Sequence, residues 1–259
     1  MLRLKKFFMV VALFGVLPLW TNAVAGQIRV ETSAEARALN NKAVDCVVDR
    51  HYDQAFELLQ KAVALRPDFT MAHYNLGRLY EMREEFDLAT QELEETLRLN
   101  PSFTDAFYHL GLSLNRSQRS AEAIEWLKRA VQARPGQAES LNELGFAYSQ
   151  VGRNKEAVES LNEAIRFKPD FSDAYNNLGV AYFKVGQASA AIKFLQRATT
   201  LAPGMAVAHF NLAVIYVQRG ERSLALDHYA SLKTIDYEMA RTLFGIIYRD
   251  KILKVQNQD

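Results

Sequence analysis

Residues 173–203 read DAYNNLGVAYFKVGQASAAIKFLQRATTLAP, and this stretch decides the fold. It contains Gly179 among apolar residues, Ala191 twelve positions later, and Pro203 after twelve more. The proline recurs at a constant spacing of 34 residues, at Pro67, Pro101, Pro135, Pro169 and Pro203. A fixed period of this length is typical of a protein built from stacked repeats, in which each unit contacts its neighbours.

Other residue types keep the same period. A small residue recurs at Ala43, Gly77, Gly111, Gly145, Gly179 and Ala213, and an alanine at Ala55, Ala89, Ala123, Ala157, Ala191 and Ala225. Between these two registers lie Gly152, Gly186 and Gly220, where a glycine C-cap would end a first helix. Proline ends a second helix, since it lacks an N–H and disfavours helical geometry in its predecessor. Each unit is therefore predicted to be helix, short turn, helix and proline loop.

Three segments carry a family resemblance: YNLG at 74–77, LGFAY at 144–148 and YNNLG at 175–179. With the alanine and proline that follow them, they resemble tetratricopeptide repeats. The resemblance covers 204 of 259 residues, six units of 34 over residues 36–239, without an insertion. It implies an all-α fold, a right-handed α-solenoid of six helix-turn-helix repeats, which binds its partners on a concave face.

The two ends of the repeat region depart from the pattern. Leu232 and Tyr237 stand where alanine and proline are expected, and Cys46 stands where other units have a core tyrosine or leucine. Thr32 and Glu35 have capping-box spacing, which predicts that residues 26–35 are a lead-in and that the first helix begins near Ser33. An amphipathic pattern near the C-terminus predicts a capping helix and tail over residues 240–259.

The N-terminus predicts export. Three basic residues precede a 14-residue apolar run from Phe7 to Trp20, and Ala23 and Ala25 then provide the small-x-small pattern of a cleavage site before Gly26. The run is shorter than the ~20 residues of a membrane-spanning helix. We predict a signal peptide over residues 1–25, with a retained anchor as the alternative, and a periplasmic or secreted protein in a bacterium. No stable membrane insertion is expected after cleavage.

Composition excludes two classes of protein. Nearly half of the residues (49%) are apolar and charges are balanced, which indicates a globular chain rather than a disordered one. Without the predicted leader and its three basic residues, 28 Lys and Arg face 30 Asp and Glu. Because no basic excess remains to neutralise phosphates, nucleic acid is not an expected partner.

Chemistry-bearing motifs are absent from the sequence. The five histidines form no HExxH or HxxxH pair, and there is no Gly-x-Ser-x-Gly elbow or glycine-rich phosphate loop. His73 and His209 share a packing register, and Cys46 is interpreted as a buried apolar residue. We therefore predict a non-enzymatic protein with no catalytic residue, no metal and no cofactor.

Candidate partner-binding residues lie on the first helix of each unit. Two positions before the small residue, four of the six units have an asparagine: Asn41, Asn75, Asn177 and Asn211. Carboxamides both donate and accept, so such a ladder can pair with the main chain of an extended peptide. It looks like the asparagine ladder in the repeats of O-linked N-acetylglucosamine transferases. The alternative is that these asparagines stabilise the repeat itself.

Neighbouring groove positions add aromatic, amide and cationic side chains to the predicted site: Tyr74, Tyr108, Arg78, Asn142, Phe146, Asn176, Phe183 and Phe210. Basic residues are spread among acidic ones, which disfavours a clamp for acidic C-terminal tails. Because these amides are expected to be exposed, replacing Asn177 and Asn211 together with alanine should weaken partner binding and change stability by no more than ~0.5 kcal/mol.

These patterns predict an exported adaptor or scaffold that binds a protein or extended peptide in its groove and supports an envelope or secretion complex. Two alternatives stay open: a chaperone-like holder of exported chains, and a regulatory subunit that targets an envelope enzyme. The oligomeric state does not follow from the sequence.

Overall fold

The computed structural model describes residues 17–256, with side chains over residues 31–248. Most of the predicted signal peptide's basic and apolar segment, residues 1–16, lies outside these. The described residues form thirteen helices: α1 Leu17–Val48, α2 Tyr52–Leu65, α3 Thr70–Met82, α4 Phe86–Leu99, α5 Thr104–Arg116, α6 Ser120–Ala133, α7 Ala138–Gln150, α8 Asn154–Phe167, α9 Ser172–Lys184, α10 Ala188–Leu201, α11 Ala206–Gln218, α12 Arg222–Ile235 and α13 Tyr237–Gln256.

The chain divides into two compact units, Met1–Ala106 and Phe107–Asp259. In the first unit, α1 packs on α2 and α3 packs on α4. In the second, α7 packs on α8, α9 on α10 and α11 on α12. Short connections make each pair an antiparallel hairpin. The predicted all-α repeat of helix-turn-helix units is confirmed.

A left-handed residue separates the two helices of each hairpin. Gly152, Gly186 and Gly220 have φ values of 80°, 80° and 76°, as a glycine C-cap requires. The same register holds Arg50, Glu84 and Gln118, with φ values of 62°, 60° and 62°. The turn geometry is thus kept where the sequence has no glycine. Glycine spacing therefore revealed only half of these turns.

The residue before each repeat proline has left the helical conformation. Arg66, Arg134 and Lys168, which precede Pro67, Pro135 and Pro169, have φ values of −141°, −139° and −133°. This conformation is the one that proline imposes on its predecessor. The last hairpin ends at Asp236 with a φ of −150°, although Tyr237 follows it.

The hairpins close around a glycine–leucine contact. An ideal Cβ on Gly145 would lie 2.5 Å from Leu161 Cγ and 3.2 Å from the Ala157 carbonyl oxygen. Gly179 meets Leu195 in the same way, at 2.5 Å. Both leucines are fully buried. The small residue of the first helix therefore lets the core leucine of the second pack directly against the backbone.

The prediction that the first helix begins near Ser33 is wrong. Helix α1 is continuous from Leu17 to Val48 and passes through the predicted cleavage site. Residues 19–35 contain no proline that would end a helix, and Pro18 lies in the first turn, where proline is tolerated. A Thr-x-x-Glu spacing marks a helix start only if the helix is interrupted there.

At the other end the capping helix is confirmed. Helix α13 begins at Tyr237 and packs on α11 and α12. Its apolar face buries Ala240, Leu243 and Ile247 in the core of the second unit. Cys46 is 7% exposed and belongs to the core of the first unit, as predicted.

Candidate functional site

The first helices of successive hairpins form a row in the second unit. Helix α7 contacts α9, and α9 contacts α11. This row borders a groove with a cavity of about 430 Å³. The cavity is lined by Tyr108, Leu112, Arg116, Glu139, Asn142, Glu143, Phe146, Phe171, Asp173, Asn176, Asn177 and Val207.

Five of the residues predicted for partner binding line this cavity together. They are Tyr108, Asn142, Phe146, Asn176 and Asn177. The other predicted residues of this unit lie elsewhere. Phe183 and Phe210 pack, partly buried, against the core formed by α10 to α13, and Asn211 is half-buried on α11.

Four carboxamides in this groove form a continuous hydrogen-bonded series, which we call the amide chain. Asn211 Nδ2 donates to Asn176 Oδ1 at 2.9 Å. Asn176 Nδ2 donates to Asn177 Oδ1 at 3.3 Å, and Asn177 Nδ2 donates to Asn142 Oδ1 at 3.0 Å. The chain links α11, α9 and α7, so it joins three consecutive hairpins.

The amide chain changes the expectation for Asn177 and Asn211. Both side chains are half-buried and hydrogen-bonded, so they are not the exposed amides that the sequence suggested. Their partners Asn142 and Asn176 are only 4% and 7% exposed. The premise that both amides are exposed is therefore wrong, and we now expect alanine at positions 177 and 211 to lower stability, because these replacements leave buried polar groups unpaired.

A shorter version of the amide chain occurs in the first unit. Asn75 Nδ2 donates to Asn40 Oδ1 at 2.8 Å, and Asn40 Nδ2 donates to the exposed Asn41 at 3.4 Å. Asn75 and Arg78 line a smaller cavity of about 140 Å³ with several apolar residues. The Arg78 guanidinium donates to the Tyr74 hydroxyl at 3.4 Å.

Glu143 lies at the repeat position that Asn177 and Asn211 occupy in the following hairpins. Its carboxylate has partners outside the amide chain. Asn115 Nδ2 donates to Glu143 Oε2 at 3.0 Å, and Arg116 Nη2 lies 3.4 Å from Oε1. The residue is 7% exposed. Burial raises the pKa of Glu143, against the opposing effects of Arg116 and Asn115.

Sequence reasoning missed Phe171 as a groove residue. Phe171 lies just before α9, in register with Phe69 and Phe103, so the repeat contained a signal for it. Glu139 was not among the predicted groove residues either. In the structure Glu139 lines the cavity and pairs with Lys168 at 3.0 Å.

The two histidines assigned to packing do serve that role. His73 Nε2 and His209 Nε2 each lie 3.0 Å from the carbonyl oxygen of a repeat proline, Pro67 and Pro203. The Nδ1 atom of each histidine contacts the side chain at one shared position of the repeat, which is a glutamate in one hairpin and a histidine in the other. His73 Nδ1 lies 2.6 Å from Glu92, whereas His209 Nδ1 lies 2.9 Å from His228 Nδ1.

Replacing His228 with glutamate should reverse the pH dependence of the stability that the contact between residues 209 and 228 gives to the hairpin of α11 and α12. Burial lowers the pKa of His228, and His209 adds to this, so its contribution to stability is lost as pH falls below 6.5. The bond to Glu92 raises the pKa of His73, whose contribution is instead lost as pH rises. Urea midpoints between pH 7.5 and 5.5 should show that His228→Glu gains stability relative to the parent chain as pH falls.

The control for this experiment is His51→Glu, at an exposed histidine outside both pairs. The contact between His209 and His228 would be contradicted if the stability difference between His228→Glu and the parent chain does not change with pH.

Two features are absent from the described part of the chain. It contains no group of three His, Cys, Asp or Glu side chains that could hold a metal ion. Among its helices, none combines the length and apolar character needed to cross a membrane.

Family profiles match most of the repeat region. Profiles described as Tetratricopeptide repeat match residues 49–110, 83–138 and 172–205, and one described as TPR repeat matches residues 150–186. Together they cover residues 49–138 and 150–205, or 146 of 259 residues. No curated protein sequence matches the chain at significant similarity.

Similar solved structures share the fold at low identity. YrrB, described as a TPR protein with an unusual peptide-binding site, is 24% identical with a TM-score of 0.61, over 73% of this chain and 94% of YrrB. PilW, described as a type IV pilus biogenesis factor, is 18% identical with a TM-score of 0.70, over 81% and 98%. MamA from Desulfovibrio magneticus RS-1 is 19% identical with a TM-score of 0.60, over 66% and 97%.

Proposed function

Because the chain belongs to the tetratricopeptide repeat family, we propose that it is an adaptor without catalytic activity that holds an extended polypeptide in the groove of its second unit. The binding surface is the row of α7, α9 and α11. We further propose that the chain is exported and serves an envelope or secretion complex, on the strength of its N-terminal sequence.

The observation that carries the proposal is the amide chain. Asn177 lines the cavity, is half-buried and uses one of its two N–H groups within the amide chain, so the second can donate to a ligand. Carboxamides pair with peptide main chain whatever its side chains are. Since Asn176 and Asn177 are already held by their neighbours, less side-chain entropy is lost when a peptide binds.

The apolar wall beside the amide chain suits the same ligand. Phe146, Phe171 and Val207 border the cavity, and Val207 is 43% exposed. Exposed apolar surface next to an ordered polar row is typical of peptide grooves, where main chain and side chains are bound by separate groups. One structurally similar protein, YrrB, is described as having a peptide-binding site.

Site-directed photocrosslinking tests the proposal. A photoreactive amino acid at Val207, inside the groove, should crosslink the full-length protein to a partner in its own cells. The same amino acid at Glu159, exposed on α8, is the control and should give no such adduct. The crosslinked protein is recovered from the envelope fraction, and its N-terminus is sequenced.

The outcomes separate the possible roles. One stoichiometric partner that crosslinks through an extended segment supports the adaptor, whereas many weak clients support a holder of exported chains. A single envelope enzyme supports a targeting subunit. Equal adducts at Val207 and Glu159 would place binding outside the groove. An N-terminus at Gly26 supports export with cleavage, and recovery only from the cytoplasm would overturn export.

A further inference from the structure

The cavity of the second unit has aromatic walls. The side chains of Tyr108, Phe146 and Phe171 border it, together with Leu112 and Val207. Its volume of about 430 Å³ lies in the range of pockets that enclose small ligands or single large side chains. Aromatic faces carry negative charge density, which attracts a cation placed over the ring.

The charges around the cavity are predominantly negative. Three carboxylates line it, those of Glu139, Glu143 and Asp173, against one cation, Arg116. Arg116 pairs with Glu143 at 3.4 Å, and Lys168 pairs with Glu139 from outside the lining at 3.0 Å. Asp173 is exposed and takes part in no ion pair among the described residues. Lys168 interacts with Asp173 through space and not through a direct ion pair, so the negative charge of Asp173 is only partly offset.

Glu143 is the most buried of the three carboxylates that line the cavity. Its side chain is 9% exposed and still borders the cavity. The negative charge of Asp173 further raises the pKa of Glu143, for which burial is the main cause. A cation between the two carboxylates would relieve this repulsion, because opposite charges interact more strongly where water is excluded.

We propose that the cavity accepts one arginine or lysine side chain from the polypeptide bound in the groove. The inference rests on the proposed function and adds to it the charge of the recognised segment. The amide chain, with Asn142, Asn176 and Asn177 in the cavity lining, holds the main chain beside the cavity. The basic side chain lays its apolar stem against the rings of Tyr108 and Phe146, because Lys168 Nζ already lies 4.5 Å from the centre of the Phe171 ring. Its charged end lies against Asp173 and Glu143.

Other side chains fit less well. An acidic side chain would add a fourth carboxylate to the three that line the cavity. An apolar side chain would desolvate Asp173 and Glu143 without offsetting their charge. Arginine is favoured over lysine, since its planar guanidinium stacks on aromatic rings and binds carboxylates through two donors.

The test uses four pools of fluorescein-labelled nine-residue peptides with the full-length protein. Their central residue is arginine, lysine, citrulline or glutamate, and all other positions are mixtures of Ser, Ala, Asn, Val and Leu. Citrulline keeps the shape of arginine without its charge. Fluorescence anisotropy should show that the arginine pool binds at least about tenfold more tightly than the citrulline pool.

Two variants assign this preference to the cavity. Asp173→Asn, at an exposed site where folding is not at risk, and Glu143→Gln should each reduce the arginine preference by about threefold or more. The citrulline pool is measured on the same variants, and the readout is the ratio of the arginine and citrulline affinities rather than either affinity alone. Glu159→Gln removes one charge outside the groove and is the matched control, with the preference unchanged.

Each outcome decides a separate question. Equal binding of the arginine and citrulline pools overturns the cation site while the groove keeps its proposed function. Preference for the glutamate pool overturns it also. If no pool binds at about 1 mM protein, the cation site and the peptide groove are both overturned. A preference for arginine that survives both carboxylate variants places the cation site elsewhere on the chain.

Discussion

Replacing Gly145 with leucine should lower the free energy of unfolding by about 3 kcal/mol or more. An added Cβ would already lie 2.5 Å from Leu161 Cγ, and leucine adds three further carbon atoms. Rotation of Leu161 cannot relieve the clash fully, because the Ala157 carbonyl oxygen lies 3.2 Å from the same Cβ. Helices α7 and α8 must therefore separate. Urea unfolding followed by circular dichroism measures the loss.

The matched control is Gly245→Leu. Gly245 lies on α13 in the same unit, is exposed, and has nothing within 4 Å of an added Cβ. Here leucine has only a better helix propensity, worth up to about 1 kcal/mol in favour of the variant. Similar destabilisation at both positions would show that Gly145 is not required for the close contact between α7 and α8.

Replacing Asn177 and Asn211 together with alanine should lower the free energy of unfolding by about 2–4 kcal/mol. The double variant removes all three hydrogen bonds of the amide chain. It leaves the buried oxygens of Asn142 and Asn176 without donors, and unpaired buried groups cost far more than lost surface contacts. The value stays in this range rather than higher because both replaced residues are half-buried, so water can reach part of the gap.

Asn41→Ala is the control for the amide chain. Asn41 shares the register of Asn177 and Asn211, but it is exposed and accepts one long bond of 3.4 Å from Asn40. Its replacement should change stability by no more than ~0.5 kcal/mol. If the double variant unfolds at the same urea concentration as the parent chain, the amide chain does not hold the hairpins together.

The amide chain has a consequence for experiments on binding. The double variant loses stability and ligand contacts together, so a loss of binding there does not locate the site. Val207 and Asp173 are better positions for testing the groove, since both are exposed and outside the amide chain. The two earlier interpretations of the asparagines, peptide contact and repeat stability, are also compatible, because one amide can serve a neighbour and a ligand through different atoms.

The repeated hairpins were predictable because every signal for them is local. Glycine permits the close approach of two helices, and proline ends the second helix at the next turn, whatever lies further along the chain. The burial of Leu161, Leu195 and Cys46 followed from their register alone. Capping by α13 was predictable for the same reason, since its apolar stripe lies within one helix.

What the sequence could not predict is the pairing of polar side chains on different helices. Asn177 meets Asn142 across 35 residues, and His209 meets His228 across 19, so the repeat register alone does not reveal whether a side chain is free or paired. The cavity likewise brings Arg116, Glu143 and Asp173 together from three first helices. By itself the sequence determined the repeat, its turns and its core leucines, because these rest on backbone sterics and on contacts between adjacent helices. Only the tertiary structure decided which amides are paired and which charges meet, because hydrogen bonds and electrostatic interactions depend on distances in space.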